Sequence, residues 1–495
     1  MKRILTTIIL LSILSTSCKK FLDVRPQGKS TQEELFKTQK GFRDVLTGAY
    51  IRMKGGSIYG GDMMWGNVEY LAINWDNPNS ANISRTKLIN GDYTDQTVKD
   101  WFSSTYENLY KVIADVNGIL ENIDAKKAVF TGGNYEIVKG EALTLRAFCH
   151  FDALRMFGPL PTNITANGVL PYVKTVTKNT HLPLSYVEFA KSILADLEEA
   201  EALLKDVDPI RKYSIAQLNS TVTPVVNDPY LQYRQVRMNY YAVLALKARV
   251  YLWLVPLDNA NKQNAARYAK MVIDAVDDNG AHTFRLGVET DRAAEDYTMS
   301  AEHISALSVY NLEDIANSSF GKDGGLLRID YPSGDGYFYL NNLFPPSERL
   351  ADIRWKDMWT LKASTQVMYK KFIQKKGLPD YQVLQIPLLR LSEMYLIGTE
   401  CAESKTEAEG IYIAYCVKKG IPFTSFNVND WTGDRRNKMI REYVREFYAE
   451  GQSFFTFKRY NVTTLPSGWT GSYYNAKPER YLIPKPDREI SYTNN

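Results

Sequence analysis

Cysteine and histidine are scarce in this chain, at four each in 495 residues, and the scarcity removes whole classes of chemistry. His150, His181, His282 and His303 are not spaced as zinc ligands are. With Cys18 set aside, Cys149, Cys401 and Cys416 form an odd set without paired spacing, which is no disulfide framework. Each sits in an apolar helical context, where a free cysteine packs as a small hydrophobe. No metal and no cofactor is therefore expected. Long apolar runs are also missing beyond the first residues, because Asp, Glu, Lys or Arg interrupts every later one before the ~20 residues a membrane span needs. Charge excess is missing too: 60 basic against 56 acidic side chains leave no electrostatic footprint for nucleic acid. No Ser-His-Asp set, Cys-His pair or glycine-rich phosphate loop stands in a supporting context.

The start of the chain is rich in signal. Met1-Lys2-Arg3 leads into an apolar run from Ile4 to Leu14, then Ser15-Thr16-Ser17-Cys18, the succession of an export signal. In bacterial lipoproteins a cysteine at that cut receives a diacylglycerol and becomes the new N-terminus. Residues 1–17 are thus read as a signal peptide and Cys18 as the lipidation site of a palmitate-type anchor; more than one acyl chain makes such attachment stable. Removing Lys2 and Arg3 leaves 58 basic against 56 acidic residues. Hydrophobic residues at 44% suffice for a large core. Aromatic content is high: 33 Tyr, 20 Phe and 8 Trp. Most must pack helices, but Tyr and Trp also build flat contact surfaces with a polar tip.

Helical periodicity dominates the body. Residues 18–29 read as a tether. Ser30 and Glu33 form a capping-box pattern that opens a helix through Leu35, Phe36, Phe42, Leu46 and Ala49. Further helices are predicted over 101–120, 139–157, 185–204, 238–255, 263–276, 389–403, 407–418 and 434–450. The pair 238–276 approaches the helix-turn-helix repeat of tetratricopeptide arrays, with Ala242, Ala245, Ala248, Ala266 and Ala269 at close-approach positions. Residues 54–100 and 280–382 instead lose periodicity and fill with Gly, Pro, Asn and Asp. The predicted fold is all-α: a tetratricopeptide-like array of helix hairpins decorated with long irregular loops. It divides into an N-terminal helical-repeat region (30–280, with the insertion 54–100) and a C-terminal region (281–495).

Several blocks, in order along the chain, resemble one family. Cys18-Lys-Lys-Phe-Leu-Asp-Val-Arg-Pro26 looks like the start of SusD/RagB-type outer-membrane lipoproteins. Lys139-Gly-Glu-Ala-Leu-Thr-Leu-Arg-Ala-Phe148, followed by Phe157-Gly-Pro-Leu-Pro161, is similar to that family's GEAxxLRA…GPxP block. Asn239 to Tyr251 resembles its repeat helix. Ile386-Pro-Leu-Leu-Arg-Leu-Ser-Glu-Met-Tyr-Leu396, the set Glu442, Arg445, Glu446, Glu450 and Gly451, and Tyr481-Leu-Ile-Pro-Lys-Pro486 are similar to its later elements. Ser453 and Thr456 depart from it. The resemblance implies a surface-facing outer-membrane lipoprotein that acts as a binding lid on a SusC-like, TonB-dependent β-barrel transporter. It also implies that the two irregular regions converge into a ligand face, for which the candidates are Trp65, Trp75 and Asn77 in the first, and Tyr331, Tyr337 and Tyr339 in the second. Aromatic planes there would cover sugar rings while polar neighbours bind hydroxyls.

Glu141, Glu393, Glu400, Glu446 and Glu450 invite comparison with the paired acids of glycosidases. Their helical spacing relative to arginines reads better as structural pairing. Glu442 with Arg445, and Glu446 with Glu450, are expected on one solvated or interfacial face, and Arg146 and Arg390 as buried partners of such carboxylates. The expected function is capture of an oligosaccharide or other polymer fragment, with no catalysis. The alternatives are a peptide-binding lid, a surface-anchored glycoside hydrolase and a structural helical-repeat adaptor.

Overall fold

The computed structural model describes residues 32–77, 82–164, 167–321, 324–329, 332–333, 336–363, 366–373, 378–467 and 472–489. The signal, Cys18 and the tether lie outside them, as does Tyr331. Helix makes up 55% and strand 7% of the structure, so the fold is all-α as expected.

The first helix departs from the sequence reading. A short helix, Gln32–Leu35, ends before α1 (Gln39–Met53), which is capped by the Thr38 hydroxyl accepting from the Gly41 amide at 3.1 Å. The break lets Phe36 fold back onto Phe42, with ring centroids 4.6 Å apart, which one continuous helix would prevent. α2 (Gln96–Ile123) starts ahead of its predicted boundary because Asp95 supplies its N-cap. α3 (Asn134–Phe157) is buried along almost its whole length and packs against both α2 and α4 (Tyr186–Leu204). Gly140 permits the second contact: a Cβ there would meet the Leu204 side chain. α4 carries the expected Ser185/Glu188 capping box.

α5 (Tyr240–Trp253), capped by Asn239, pairs with α6 (Ala260–Ile273). α7 (Leu391–Cys401) packs on α6 and on α8 (Lys405–Lys419), extending the stack of hairpins; α9 (Trp431–Glu446) and α10 (Ser453–Tyr460) close it. One continuous hydrophobic core runs from Phe36 to Ile483. The three cysteines Cys149, Cys401 and Cys416 are buried within it, unpaired.

Strands appear where none was predicted. β1 (His303–Ser308) pairs antiparallel with β4 (Gln385–Arg390), setting His303 opposite Arg390 and Ser308 opposite Gln385. β2 (Trp359–Ala363) and β3 (Gln366–Tyr369) form a hairpin. Leu389 and Arg390, read as the start of a helix, end β4 instead. Every residue of β4 is buried, so its apolar run shows no alternation that would mark it as a strand.

A charged cluster is built into this core. Arg390 donates through Nη1 to Glu446 at 2.6 Å and Glu302 at 3.0 Å, and through Nε and Nη2 to Glu450 at 2.9 and 2.8 Å. Lys419 reaches Glu302 at 2.5 Å, and Lys371 pairs with Glu450. Arg445 holds Glu442 at 2.7 Å. The expectation of a solvated face for Glu442, Arg445, Glu446 and Glu450 is therefore corrected: all four are buried. Arg146 is buried as expected, but its bidentate partner is Asp196 at 2.7 Å rather than a motif glutamate.

Lys458 is a buried cation with no carboxylate. Its ammonium donates to the carbonyls of Met156 and Gly158, at 3.1 and 2.7 Å, satisfying the exposed end of α3, and burial pulls its pKa down to about 7. The unfolded chain keeps that proton to about 10.5, so unfolding takes up a proton between the two values and stability rises with pH there. Relative to a Lys458→Met variant, the native protein should gain roughly 2–3 kcal/mol of unfolding free energy between pH 7.5 and 9.5. Parallel pH curves in chemical denaturation would refute this.

Candidate functional site

The predicted ligand residues are drawn inward. Trp65 and Trp75 are 3% and 0% exposed, and Trp75 Nε1 donates to the Trp65 carbonyl at 2.6 Å. The Trp65 ring lies against Phe320 and Phe372, and the Trp75 ring against Phe320 and Tyr448. Asn77 is buried and donates to the Asn82 carbonyl at 2.6 Å and to Thr86 Oγ1 at 2.9 Å. Tyr339 is also buried; its hydroxyl donates to Asn74 Oδ1 at 2.6 Å, and the Arg328 guanidinium covers its ring. The backbone of Tyr337 lies among the described residues, in the short strand Gly336–Tyr337, and its side chain does not.

The two irregular regions do converge. Arg328 donates to the carbonyls of Ile73 and Asn74, and the Asp76 amide to the carbonyl of Leu327. What joins them is an aromatic seam inside the protein, and Trp65, Trp75, Asn77 and Tyr339 present no free face to a ligand. Rings of this size bury too much apolar area to stay in water when a frame is at hand. Beneath the seam, Glu69 accepts from the Gly451 amide at 2.8 Å and from Asn74, and burial pushes its pKa up to about 8.

The motif glutamates are likewise engaged. Glu141 accepts from Arg234 at 2.5 Å and from the Tyr50 hydroxyl at 2.8 Å. Glu393 takes a bidentate pair from Arg249 at 2.6 Å, and Glu400 pairs with Arg459. His150 is a core histidine: its Nδ1 faces the Arg146 carbonyl, its Nε2 accepts from the Val173 amide, and burial lowers its pKa to about 3. Among the described residues no His/Cys/Asp/Glu group is placed to hold a metal ion.

An open groove of about 590 Å³ lies elsewhere, a size suited to a small ligand. It is lined by Tyr230, Gln232, Tyr233 and Arg237 from the segment leading into α5, by Ser308 and Tyr310 at the end of β1, and by Gln385 at the start of β4. Tyr310 is 86% exposed, a large ring left in water. Tyr233 has a left-handed backbone (φ +52°), a conformation that costs a non-glycine residue energy and recurs at functional sites. The Tyr230 ring is flanked by two guanidinium groups, Arg43 at 4.3 Å and Arg237 at 4.7 Å from its centroid. Its hydroxyl is buried and has no hydrogen-bond partner among the described residues. Arg43 is tied to Asp228 and Asn134.

The sequence reading missed this groove. Its signal was the run Pro229-Tyr-Leu-Gln-Tyr-Arg-Gln-Val-Arg237, which alternates aromatic and polar residues between two helices, and Tyr310 within the aperiodic stretch. Packing of the segment 234–236 directly on β1 brings the two together.

Comparison with known proteins places this architecture. Residues 20–218 match the profile of a family described as starch-binding, associating with the outer membrane, and residues 357–494 that of the SusD family. Over 197 residues the chain is 24% identical to the SusD-like protein P25 of Formosa agariphila, and over 259 residues 26% identical to its SusD-like protein P38. These alignments cover 39% and 52% of this chain, and the chain spans only 36% and 43% of those relatives. A SusD superfamily protein from Bacteroides thetaiotaomicron superposes with a TM-score of 0.65 at 19% identity, covering 92% of this chain and 98% of that one. A SusD-like carbohydrate binding protein from Bacteroides vulgatus gives 0.61 at 17% identity, over 92% and 97% of the two chains.

Proposed function

We propose, from the premise that this chain belongs to the SusD/RagB family, that it captures an oligosaccharide or related polymer fragment and hands it to a partner transporter without altering it. The anchor at Cys18 would hold it at the outer membrane, and the TonB-dependent β-barrel is the partner that the family implies. The observation that carries the reading is the tyrosine groove. It offers an exposed ring to stack on a sugar face, and amide, hydroxyl and guanidinium groups to bind hydroxyls, on segments held by rigid strands and helices. The motif glutamates Glu141, Glu393 and Glu446 are engaged with buried arginines, and none of the described residues lining the groove is an acid.

The test is retardation in gels cast with a panel of polysaccharides. Retardation by at least one glycan, with roughly tenfold weaker binding in Tyr310→Ala, is the expected result, as for an aromatic anchor at an interface. New reducing ends appearing in the gels would turn the reading toward a hydrolase. Binding to peptide digests alone would turn it toward a peptide-capturing lid.

A further inference from the structure

Most arginines of the interior hold a carboxylate, as Arg146, Arg234, Arg249, Arg354, Arg390, Arg445 and Arg459 do, while Arg435 and Arg480 donate to backbone carbonyls. Arg237 holds no carboxylate, and its guanidinium makes no hydrogen bond among the described residues. It lies between two tyrosine rings, 4.7 Å from the Tyr230 centroid and 5.0 Å from that of Tyr50, at the wall of the groove. The nearby Tyr230, Glu141 and Tyr50 favour its charged form against the cost of burial, but none of them accepts a hydrogen bond from it among the described residues. Both oxygens of Glu141 accept bonds, from Arg234 and from Tyr50, and Asp228 is paired with Arg43.

A second cation stands beside it. Lys54, at the end of α1, has no ion-pair partner among the described residues. Its ammonium is destabilised first by burial and then by the charge of Arg237. An anion arriving in the groove would meet the guanidinium of Arg237 in its wall and relieve the repulsion that Lys54 feels from it. Tyr230, in the same wall, adds a hydroxyl that is buried and lacks an acceptor among the described residues. Cation–π contact with two rings accounts for where the guanidinium rests, but not for the absence of a counter-ion at a half-buried charge.

We infer that the groove is selective for acidic glycans, with the guanidinium of Arg237 and the nearby Lys54 receiving an anionic substituent while Tyr310 stacks on a sugar ring. The anion is a carboxylate of a uronic acid or a sulfate ester; both match the planar fork of a guanidinium, which binds oxyanions through paired N–H donors. The inference rests on the glycan-capture reading and adds the substrate class to it.

The experiment uses the complete chain in detergent, run through affinity gels containing polygalacturonate, its methyl-esterified form, a sulfated galactan, its desulfated form, and neutral starch and xylan. Retardation by polygalacturonate or the sulfated galactan, lost on esterification or desulfation and weakening as salt rises, is the expected outcome. Which acidic gel retards identifies carboxylate or sulfate. Arg237→Gln should weaken that binding roughly ten- to a hundredfold, while Arg237→Lys keeps part of it. Circular dichroism checks that both variants fold; should Arg237→Gln fail to, Lys54→Gln provides the same charge test from a more exposed position. Retardation by neutral gels alone leaves glycan capture standing and overturns the acidic selectivity. Unchanged acidic binding in Arg237→Gln and Lys54→Gln also overturns it. No retardation in any gel defeats the capture reading itself.

Discussion

Arg390→Met is expected to remove the native state or leave it barely stable. Methionine keeps the apolar stem of the side chain and none of its charge. Arg390 is 1% exposed and, among the described residues, is the one group that touches Glu302, Glu446 and Glu450 together, while also donating to the Glu446 carbonyl at 2.7 Å. Without it, three buried carboxylates are left to Lys371, Lys419 and, for Glu446 only, Arg354 at 3.4 Å, and a proton or water would have to enter to balance them. Breaking a single buried pair costs about 3–5 kcal/mol, and here three contacts go at once, so the loss belongs at the upper end or beyond. Chemical denaturation followed by circular dichroism would measure it; a variant within 1 kcal/mol of the native protein would refute the role given to this cluster. Arg390→Lys keeps the charge without the fork and should fall between. The cluster also sets an acid limit. Burial alone would raise the Glu446 carboxyl, but Lys419 and Arg390 hold it well below its ordinary 4.5, and the lowered value of Glu302 has the same origin. Carboxyls depressed in the folded state contribute stability above their unfolded value and lose it as pH falls, so stability should decline below about pH 4.5.

Gly451→Ala should be nearly as damaging, through the backbone. Gly451 adopts φ +71°, and a Cβ there would run into the carbonyl oxygen of Met63. Its amide meanwhile donates to Glu69, the buried acid under the aromatic seam. A left-handed alanine costs about 1–2 kcal/mol and overpacking a tight contact a further ~1–3, so about 2–5 kcal/mol in all. Because the collision is with the segment that carries Met63, the insertion should lift from the frame before the helices melt. Limited proteolysis is then expected to cut within residues 54–77 of the variant while α2 to α5 stay protected. Cleavage spread evenly along the chain would contradict the idea that this glycine locks the insertion.

Helices and capping boxes were legible because they are local. Ser185 and Glu188, or the stripe along α3, state their structure within a few residues. The strands β1 and β4 were not, since a run buried on both faces carries no periodicity, and their partners lie some 80 residues apart. The site showed the same divide. The sequence placed aromatics in two aperiodic regions and the regions do meet, but which rings turn inward depends on distant partners such as Tyr448 and Phe320. Trp75, the most prominent candidate, is buried for that reason. Tyr310, one tyrosine among 33, stands in solvent because β1 ends beside it.

The seam has a consequence for the order in which the chain acquires its structure. Asn74 donates to Ser453 at 2.9 Å across 379 residues of sequence, and Arg480 reaches the Leu71 carbonyl across 409. Contacts of such separation form late, after the loop entropy between them has been overcome. A chain emerging from its N-terminus therefore completes α1 to α4 with Ser57 and Tyr59 already held by α2 and α3 but the stretch from Trp65 to Trp75 still without its distant partners, its tryptophans open to water and to other chains. Their partners Phe320 and Phe372 arrive after more than half of the chain is made, and Tyr448 only in its last tenth. The stretch most exposed to misassembly and proteases during synthesis is thus one of the earliest made, and how long it waits is set by the time needed to finish the chain.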